Sequence, residues 1–156
     1  MVKKCLQDFV NGMEINGMKK PNGFQYLCCQ DFVLQNGTEF SSPEPFPNLM
    51  EPKQCFCNAA TLMLINEQRY VYCEGYATSI IPVDHAWVLD TWTDEIVDPT
   101  WAEPGIEYFG IAFNTQYVRR RLCKNEVYGL IDTYWDNFEL LRDTTTEWKY
   151  EATVNA

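Results

Sequence analysis

The spacing of apolar residues changes along the chain, and its clearest helical segment lies near the middle. From Cys55 onwards, apolar side chains recur at steps of three and four residues, which predicts an α-helix ending at Asn66 or Glu67. The residues that give this spacing are Phe56, Ala59, Ala60, Met63 and Leu64. Pro52 suits the approach to a helix, because a missing N–H group costs nothing at that point.

Short apolar and aromatic runs predict strands in the rest of the chain. We expect strands over residues 24–34, 69–77 and 108–113, each bounded by turn-forming residues or by polar ones. Two further runs, 84–90 and 96–101, follow Pro82 and are separated by a short polar segment. This arrangement predicts a β-hairpin.

Three segments lack a clear apolar period. Residues 1–23 contain three Asn-Gly pairs and are predicted to form turns around one short hairpin. Four prolines make residues 41–53 a loop, either inert surface or one wall of a groove. Residues 115–142 are aromatic and charged at roughly helical spacing, which predicts one or two helices. The basic run Arg119-Arg120-Arg121 is expected to lie on a solvated helix face.

Length and charge narrow the class of protein. A chain of 156 residues with 46% hydrophobic residues and no evident linker predicts a single domain, 1–156, with a packed core. Its formal charge of −10 opposes binding to nucleic acid or to anionic membranes. No apolar run approaches the roughly 20 residues of a membrane span, and no signal-peptide core follows the N-terminus. We therefore expect an unexported, cytoplasmic protein that acts on neither nucleic acid nor membranes.

The cysteines do not form a pattern typical of disulfides or of zinc. Seven is an odd number, and a chain of this length does not need a disulfide framework. Cys28-Cys29 and Cys55-x-Cys57 lack the ligand spacing of a zinc site, and only one histidine could join them. The sequence therefore predicts neither a metal ion nor a cofactor. Cys28 and Cys29 are expected to be buried thiols on opposite faces of a strand.

A cysteine at the start of a helix is a candidate nucleophile. The N-terminal end of the helix dipole and its unpaired N–H groups favour the thiolate and can hold an oxyanion. Cys55 and Cys57 differ by about 200° around a helix, so only one can face a given pocket. We favour Cys55, because Ala59 one turn later leaves space beside it. Gln54, just before it, could donate a further N–H group to an oxyanion.

The only histidine lies in the predicted hairpin. His85 and Asp98 share a face of the sheet whether the turn is centred near Thr91-Trp92 or spans Thr91 to Asp94, because side chains alternate with period two. Asp90 points to the opposite face. Cysteine, histidine and aspartate in this order match a nucleophile, its base and the residue that orients the base. A purely structural interpretation is also open, in which His85 is a core residue and Asp98 ends a strand.

The motifs resemble the transglutaminase-like core of the papain-like cysteine enzymes. They are Cys55 followed by Ala59, Gly75-Tyr76, His85-Ala86-Trp87 and Asp98-Pro99-Thr100. A fuller set, which adds Asn58, Glu74, Trp101 and Tyr108-Phe109-Gly110, resembles a group of short phage and bacterial proteins. The resemblance covers residues 52–115.

The resemblance implies an α+β fold in which the cysteine helix packs on an antiparallel sheet. It implies that Cys55, His85 and Asp98 form the catalytic triad. The further candidates for contact with a substrate or an oxyanion are Gln54, Asn58, Glu74, Trp87 and Trp101.

The expected function is therefore that of a cysteine-dependent enzyme acting on an acyl group of a protein or small-molecule amide, as a hydrolase, deamidase or transferase. If the chain is phage-encoded, it would act in the cytoplasm of the bacterial host. The superfamily also contains inactive members, so the alternative is a protein that binds a partner in the former cleft.

Overall fold

Five strands form one antiparallel sheet. The computed structural model describes residues 1–78 and 80–153. The strands are β1 (Thr38–Phe40), β2 (Tyr70–Thr78), β3 (Pro82–Asp90), β4 (Glu95–Val97) and β5 (Glu107–Ala112). They lie in the order β1-β5-β2-β3-β4, with every neighbouring pair antiparallel.

Helices pack on one face of this sheet, and the predicted α+β class is confirmed. They are α1 (Val2–Ile15), α2 (Cys29–Asn36), α3 (Cys55–Ile65), α4 (Thr115–Asn125) and α5 (Glu139–Arg142), with a 3₁₀ turn over Tyr134–Asp136. The larger core extends from Val2 at one end of the described chain to Trp148 near the other. Among the described residues, no helix has both the length and the apolar character needed to cross a membrane.

The prediction of a hairpin over residues 1–23 is wrong, because most of this segment is helix α1, although the chain does turn at Asn16-Gly17 and Asn22-Gly23 as predicted. Val2, Leu6 and Val10 are buried at steps of four residues, and this stripe outweighs the turn tendency of the Asn-Gly pairs. Gly12 lies within the helix. Only after Ile15 does a glycine, Gly17, adopt the left-handed conformation of a turn, with φ of 77°.

The strand predicted over 24–34 is also wrong, because the chain forms helix α2 from Cys29. Phe32 and Val33 are adjacent and both fully buried, which alternation along a half-buried strand does not allow. The Asp31 carboxylate accepts the N–H of Leu27 at 2.8 Å and so orders the entry to the helix. An acidic residue in the first turn was the sequence signal for this helix.

Helix α3 and the β3–β4 hairpin agree with their predictions. Val88 pairs with Val97 and Asp90 with Glu95, so the turn spans Thr91 to Asp94, the second of the two predicted registers. Continuing this register beyond β4 brings position 98 opposite Trp87 and diagonal to His85. Helix α3 packs on the face of the sheet opposite Trp87, in the same core as Ala86 and Val88.

Two glycines bring the central strands together beside His85. Gly75 in β2 pairs with His85 on one side and with Gly110 in β5 on the other. A Cβ atom on Gly75 would collide with the Gly110 Cα and the Phe109 carbonyl oxygen. One on Gly110 would lie 2.6 Å from the Glu74 carbonyl oxygen. The position of β3, and of its histidine, therefore depends on two positions without side chains.

We expect Gly75→Ala to lower the free energy of unfolding by about 1–3 kcal/mol, the usual cost of overpacking a core. Gly12→Ala is the matched control, because a Cβ atom at that helical position meets nothing within 4 Å. It should raise stability by about 0.5–1 kcal/mol. Urea denaturation measures both changes, and equal effects would contradict the close packing of β2 on β5.

Candidate active site

Cys55 is the first residue of helix α3. Gln54 is the N-cap, and its carbonyl oxygen accepts the N–H of Asn58 at 2.8 Å. The N–H groups of Cys55, Phe56 and Cys57 precede this first helical bond and are the orphan donors of a helix N-terminus. The Gln54 side chain is exposed and forms no cap, so its amide is free to meet a ligand.

His85 is held in the sheet by a buried hydrogen bond. Its Nε2 atom lies 2.8 Å from Asp98 Oδ2, and both residues are about 1% exposed. The Trp101 ring stacks on the imidazole, with ring centroids 3.9 Å apart and planes 18° from parallel. With Nε2 committed to Asp98, Nδ1 is the ring nitrogen left to exchange a proton with another group.

Asp98 accepts three hydrogen bonds besides the one to His85. The Tyr108 hydroxyl donates to Oδ2 at 2.7 Å, and the backbone N–H groups of Thr100 and Trp101 donate to Oδ1 at 2.9 and 3.2 Å. Sequence reasoning did not assign this role to Tyr108. Its one signal was membership of the Tyr-Phe-Gly motif, because a contact between β5 and the segment after β4 depends on the order of strands in the sheet.

The pKa values of this pair follow from burial opposed by charge. Burial lowers the pKa of His85, but the hydrogen bond to Asp98 and then the neighbouring thiol of Cys55 raise it, to about 9. Burial raises the pKa of Asp98, but His85, the Thr100 N–H and the Tyr108 hydroxyl together lower it. At neutral pH the imidazole is therefore protonated beside an ionised carboxylate.

The two candidate cysteines differ in their neighbours. Cys55 is half-buried, and its thiol raises the pKa of the His85 imidazole through a hydrogen bond and through its charge. Cys57 is also half-buried, with its Sγ atom 4.0 Å from Thr61 Oγ1, and it raises the pKa of the Tyr128 hydroxyl. The helical rotation between the two positions therefore separates them, as predicted.

Asn58 joins three parts of the site. Its amide nitrogen donates to the Glu51 carbonyl oxygen at 2.7 Å and to Thr100 Oγ1 at 2.9 Å. The proline-rich loop is also fixed by the Met50 N–H, which donates to the Pro99 carbonyl oxygen at 2.8 Å. Because both amide hydrogens of Asn58 are used inside the protein, we assign it a positioning role. It links α3 to the segment that carries Asp98.

The two candidate tryptophans occupy different environments. Trp87 is completely buried in a second, smaller core with Cys73 and Tyr108, below the imidazole. Trp101 is half-buried and covers the imidazole, so it is the tryptophan available to a substrate.

Glu74 is a buried anchor for the chain beyond α4. Its carboxylate accepts the Tyr72 hydroxyl at 2.8 Å and the N–H groups of Leu130 and Ile131 at 2.8 and 3.0 Å. Burial raises the pKa of Glu74, and these donors partly oppose that effect.

Arg121 corrects the expectation of a solvated basic face. It is 1% exposed, and its guanidinium donates to the Leu130 carbonyl oxygen at 3.3 Å and to Asp136 at 2.9 Å. A buried charge requires such partners, and these lie 9 and 15 residues further along the chain. Glu74 and Arg121 together hold residues 128–136 against the sheet.

Asp90 takes no part in this site. Its carboxylate binds the Arg69 guanidinium through three hydrogen bonds of 2.7 to 3.0 Å. Alternation along β3 thus places Asp90 on the opposite face from His85, as predicted, and Asp90 binds arginine while Asp98 binds the histidine.

A small and a large cavity lie side by side on this part of the surface, and their walls include sequence neighbours of Cys55 and His85 but neither residue itself. The small one, about 130 Å³, touches Phe56, which follows Cys55, and Gly75, which pairs with His85. The larger, about 650 Å³, lies farther along the same surface and shares Tyr76, Asp84 and Asp132 with the small one. The two therefore form one continuous groove.

The single histidine allows its ionisation to be measured directly. We expect NMR titration of His85 to give a pKa of about 9 and Asp98→Asn to lower it by about one to three pH units, the effect of an adjacent opposite charge. Because folding raises this pKa from 6.5, the pair contributes stability that is complete below about pH 6.5 and is lost as pH rises through about 9. A pKa unchanged in Asp98→Asn would contradict this account.

Comparisons with protein-family models, with curated proteins and with solved structures found no match to the chain. The resemblance to transglutaminase-like enzymes therefore stays a prediction from the motifs. Function has to be argued from the chemistry of the site.

Proposed function

We propose that the protein is a cysteine-dependent enzyme that transfers or hydrolyses acyl groups, with Cys55 as nucleophile, His85 as acid and base, and Asp98 as the residue that orients the imidazole. The observation that carries the proposal is the environment of the only histidine. One ring nitrogen is bound to a buried carboxylate. The thiol of Cys55, at a helix N-terminus, is close enough to the ring to raise its pKa. The fold proposed with it is the transglutaminase-type branch of the papain-like enzymes.

The first half-reaction forms a thioester. The Cys55 thiolate attacks the carbonyl carbon of an amide, and the N–H groups at the start of α3 stabilise the negative charge on the oxygen. The carbon–nitrogen bond then breaks, and the protonated His85 gives its proton to the departing amine. Asp98 stays ionised throughout and holds the ring in position.

The second half-reaction releases the acyl group. Neutral His85 removes a proton from water or from an amine, which attacks the thioester carbonyl and displaces the Cys55 thiolate. Water gives a carboxylic acid and an amine gives a new amide. In both cases the proton returns to the imidazole, and the enzyme regains its starting state.

Brief treatment with iodoacetamide should modify Cys55 before the other thiols, because the reagent consumes thiolate. Cys5 and Cys123 are more exposed than Cys55 and serve as internal controls for access. Peptide mapping by mass spectrometry gives the order of modification. His85→Gln should remove the advantage of Cys55 and leave Cys5 unaffected; faster reaction at Cys57 in the unmodified chain would assign the nucleophile differently.

Acylation by p-nitrophenyl acetate tests the catalytic roles without knowledge of the natural substrate. We expect one acetyl group on Cys55, turnover of the ester, and loss of both in Cys55→Ala, which should remain folded. Asp98→Asn should slow turnover by about 10²–10⁴, as for triad aspartates. Asp90→Asn should remain within about tenfold, although loss of its bond to Arg69 should lower stability.

If Cys55 reacts no faster than a free thiol, the enzyme proposal fails. The same result would favour the alternative, an inactive protein that uses the groove for binding. A larger loss of turnover in Asp90→Asn than in Asp98→Asn would contradict the assigned triad.

A further inference from the structure

The small cavity next to Phe56 has walls that are both aromatic and acidic. Phe56, Tyr76, Tyr128 and Trp135 contribute four aromatic side chains. Two aspartates, Asp84 in β3 and Asp132 in the segment after α4, line the same space. Phe56 directly follows Cys55 and Asp84 directly precedes His85, so a group in this cavity contacts the chain neighbours of both, although neither Cys55 nor His85 lines it.

The charge of the cavity is not neutralised by the protein. No lysine, arginine or histidine lines it, and within residues 1–78 and 80–153 neither Asp84 nor Asp132 forms an ion pair or a side-chain hydrogen bond. Burial raises the pKa of the Tyr76 hydroxyl, and the charges of Asp84 and Asp132 raise it further by a smaller amount. Two unpaired negative charges therefore flank an aromatic ring.

The walls of the cavity are held in place before any ligand binds. The Glu74 carboxylate accepts hydrogen bonds from the N–H groups of Leu130 and Ile131. Arg121, in α4, donates to the Asp136 carboxylate. These bonds fix the segment that carries Asp132 and Trp135. A preformed site loses less entropy on binding than one that must be ordered by its ligand.

We infer that this cavity binds the positively charged side chain of the substrate, a lysine- or arginine-type group next to the carbonyl that Cys55 attacks. Aromatic faces attract organic cations, and the aspartates supply the opposing charge. At about 130 Å³ the cavity fits the end of a side chain rather than a whole ligand, and the adjoining 650 Å³ groove is left for the rest of the substrate. The inference rests on the proposed function, because it concerns the substrate of the same thiol.

The test uses the Cys55→Ala chain, in which binding can be measured without reaction. Two ligands are compared by NMR titration: Nα-acetyl-lysine amide and Nα-acetyl-norleucine amide, which has an aliphatic side chain without the charge. We expect the lysine ligand to bind at least about tenfold more tightly at low salt, and salt to reduce the difference. The largest shifts should fall on the Trp135 indole and on Tyr76.

Adding Asp84→Asn and Asp132→Asn should bring the lysine ligand to the affinity of the norleucine ligand. Asp94→Asn is the matched control, since it removes one exposed carboxylate at the turn beyond the far end of β3. Equal binding of the two ligands, or an equal loss in Asp94→Asn, would overturn the inference.

The outcome is separable from that of the proposed function. Acetylation and turnover at Cys55 without preference for lysine would reject only the cation site. The opposite result is a preference for lysine that depends on the two aspartates, without acetylation of Cys55. It would support a cation-binding cavity and reject the proposal that the protein is an enzyme.

Discussion

The hydrogen bond between His85 and Asp98 is the interaction on which the rest of the site depends. It lies almost entirely out of water, where an unpaired ion would be costly, so each partner requires the other. Asp98 also accepts hydrogen bonds from the Tyr108 hydroxyl in β5 and from the backbone N–H groups of the two residues after Pro99. One carboxylate therefore fixes the imidazole, strand β5 and the loop that Asn58 links to α3.

The parts of the fold set by local periodicity could be predicted from the sequence. Helical spacing gave α3, and alternation gave a shared face for His85 and Asp98 in either hairpin register. Helices α1 and α2 were missed because turn-forming pairs and a cluster of apolar residues dominated those segments, although their stability comes from packing on a core formed elsewhere. The contact of Tyr108 with Asp98 depends on strand order, which no local pattern contains.

Two buried charges apart from the His85–Asp98 pair explain why residues beyond α4 belong to the same structure. Glu74 and Arg121 bind the same segment: Glu74 accepts the N–H groups of Leu130 and Ile131, and Arg121 donates to the Leu130 carbonyl oxygen and to Asp136. Neither role is visible locally, because the partners of Glu74 lie 56 and 57 residues away. Arg121, placed among three consecutive arginines, has the sequence context of a surface residue and the partners of a core residue.

The Asp98 carboxylate gives the two nitrogens of the imidazole different environments. The Trp101 ring covers one face of His85 as a whole, and the buried carboxylate closes the Nε2 side, so the proton on Nε2 has no direct route to solvent. That proton should exchange with bulk water far more slowly than the one on Nδ1. The imidazole therefore has a retained proton that sets its orientation and a mobile proton on the side facing the thiol, and only the mobile proton need move in a reaction.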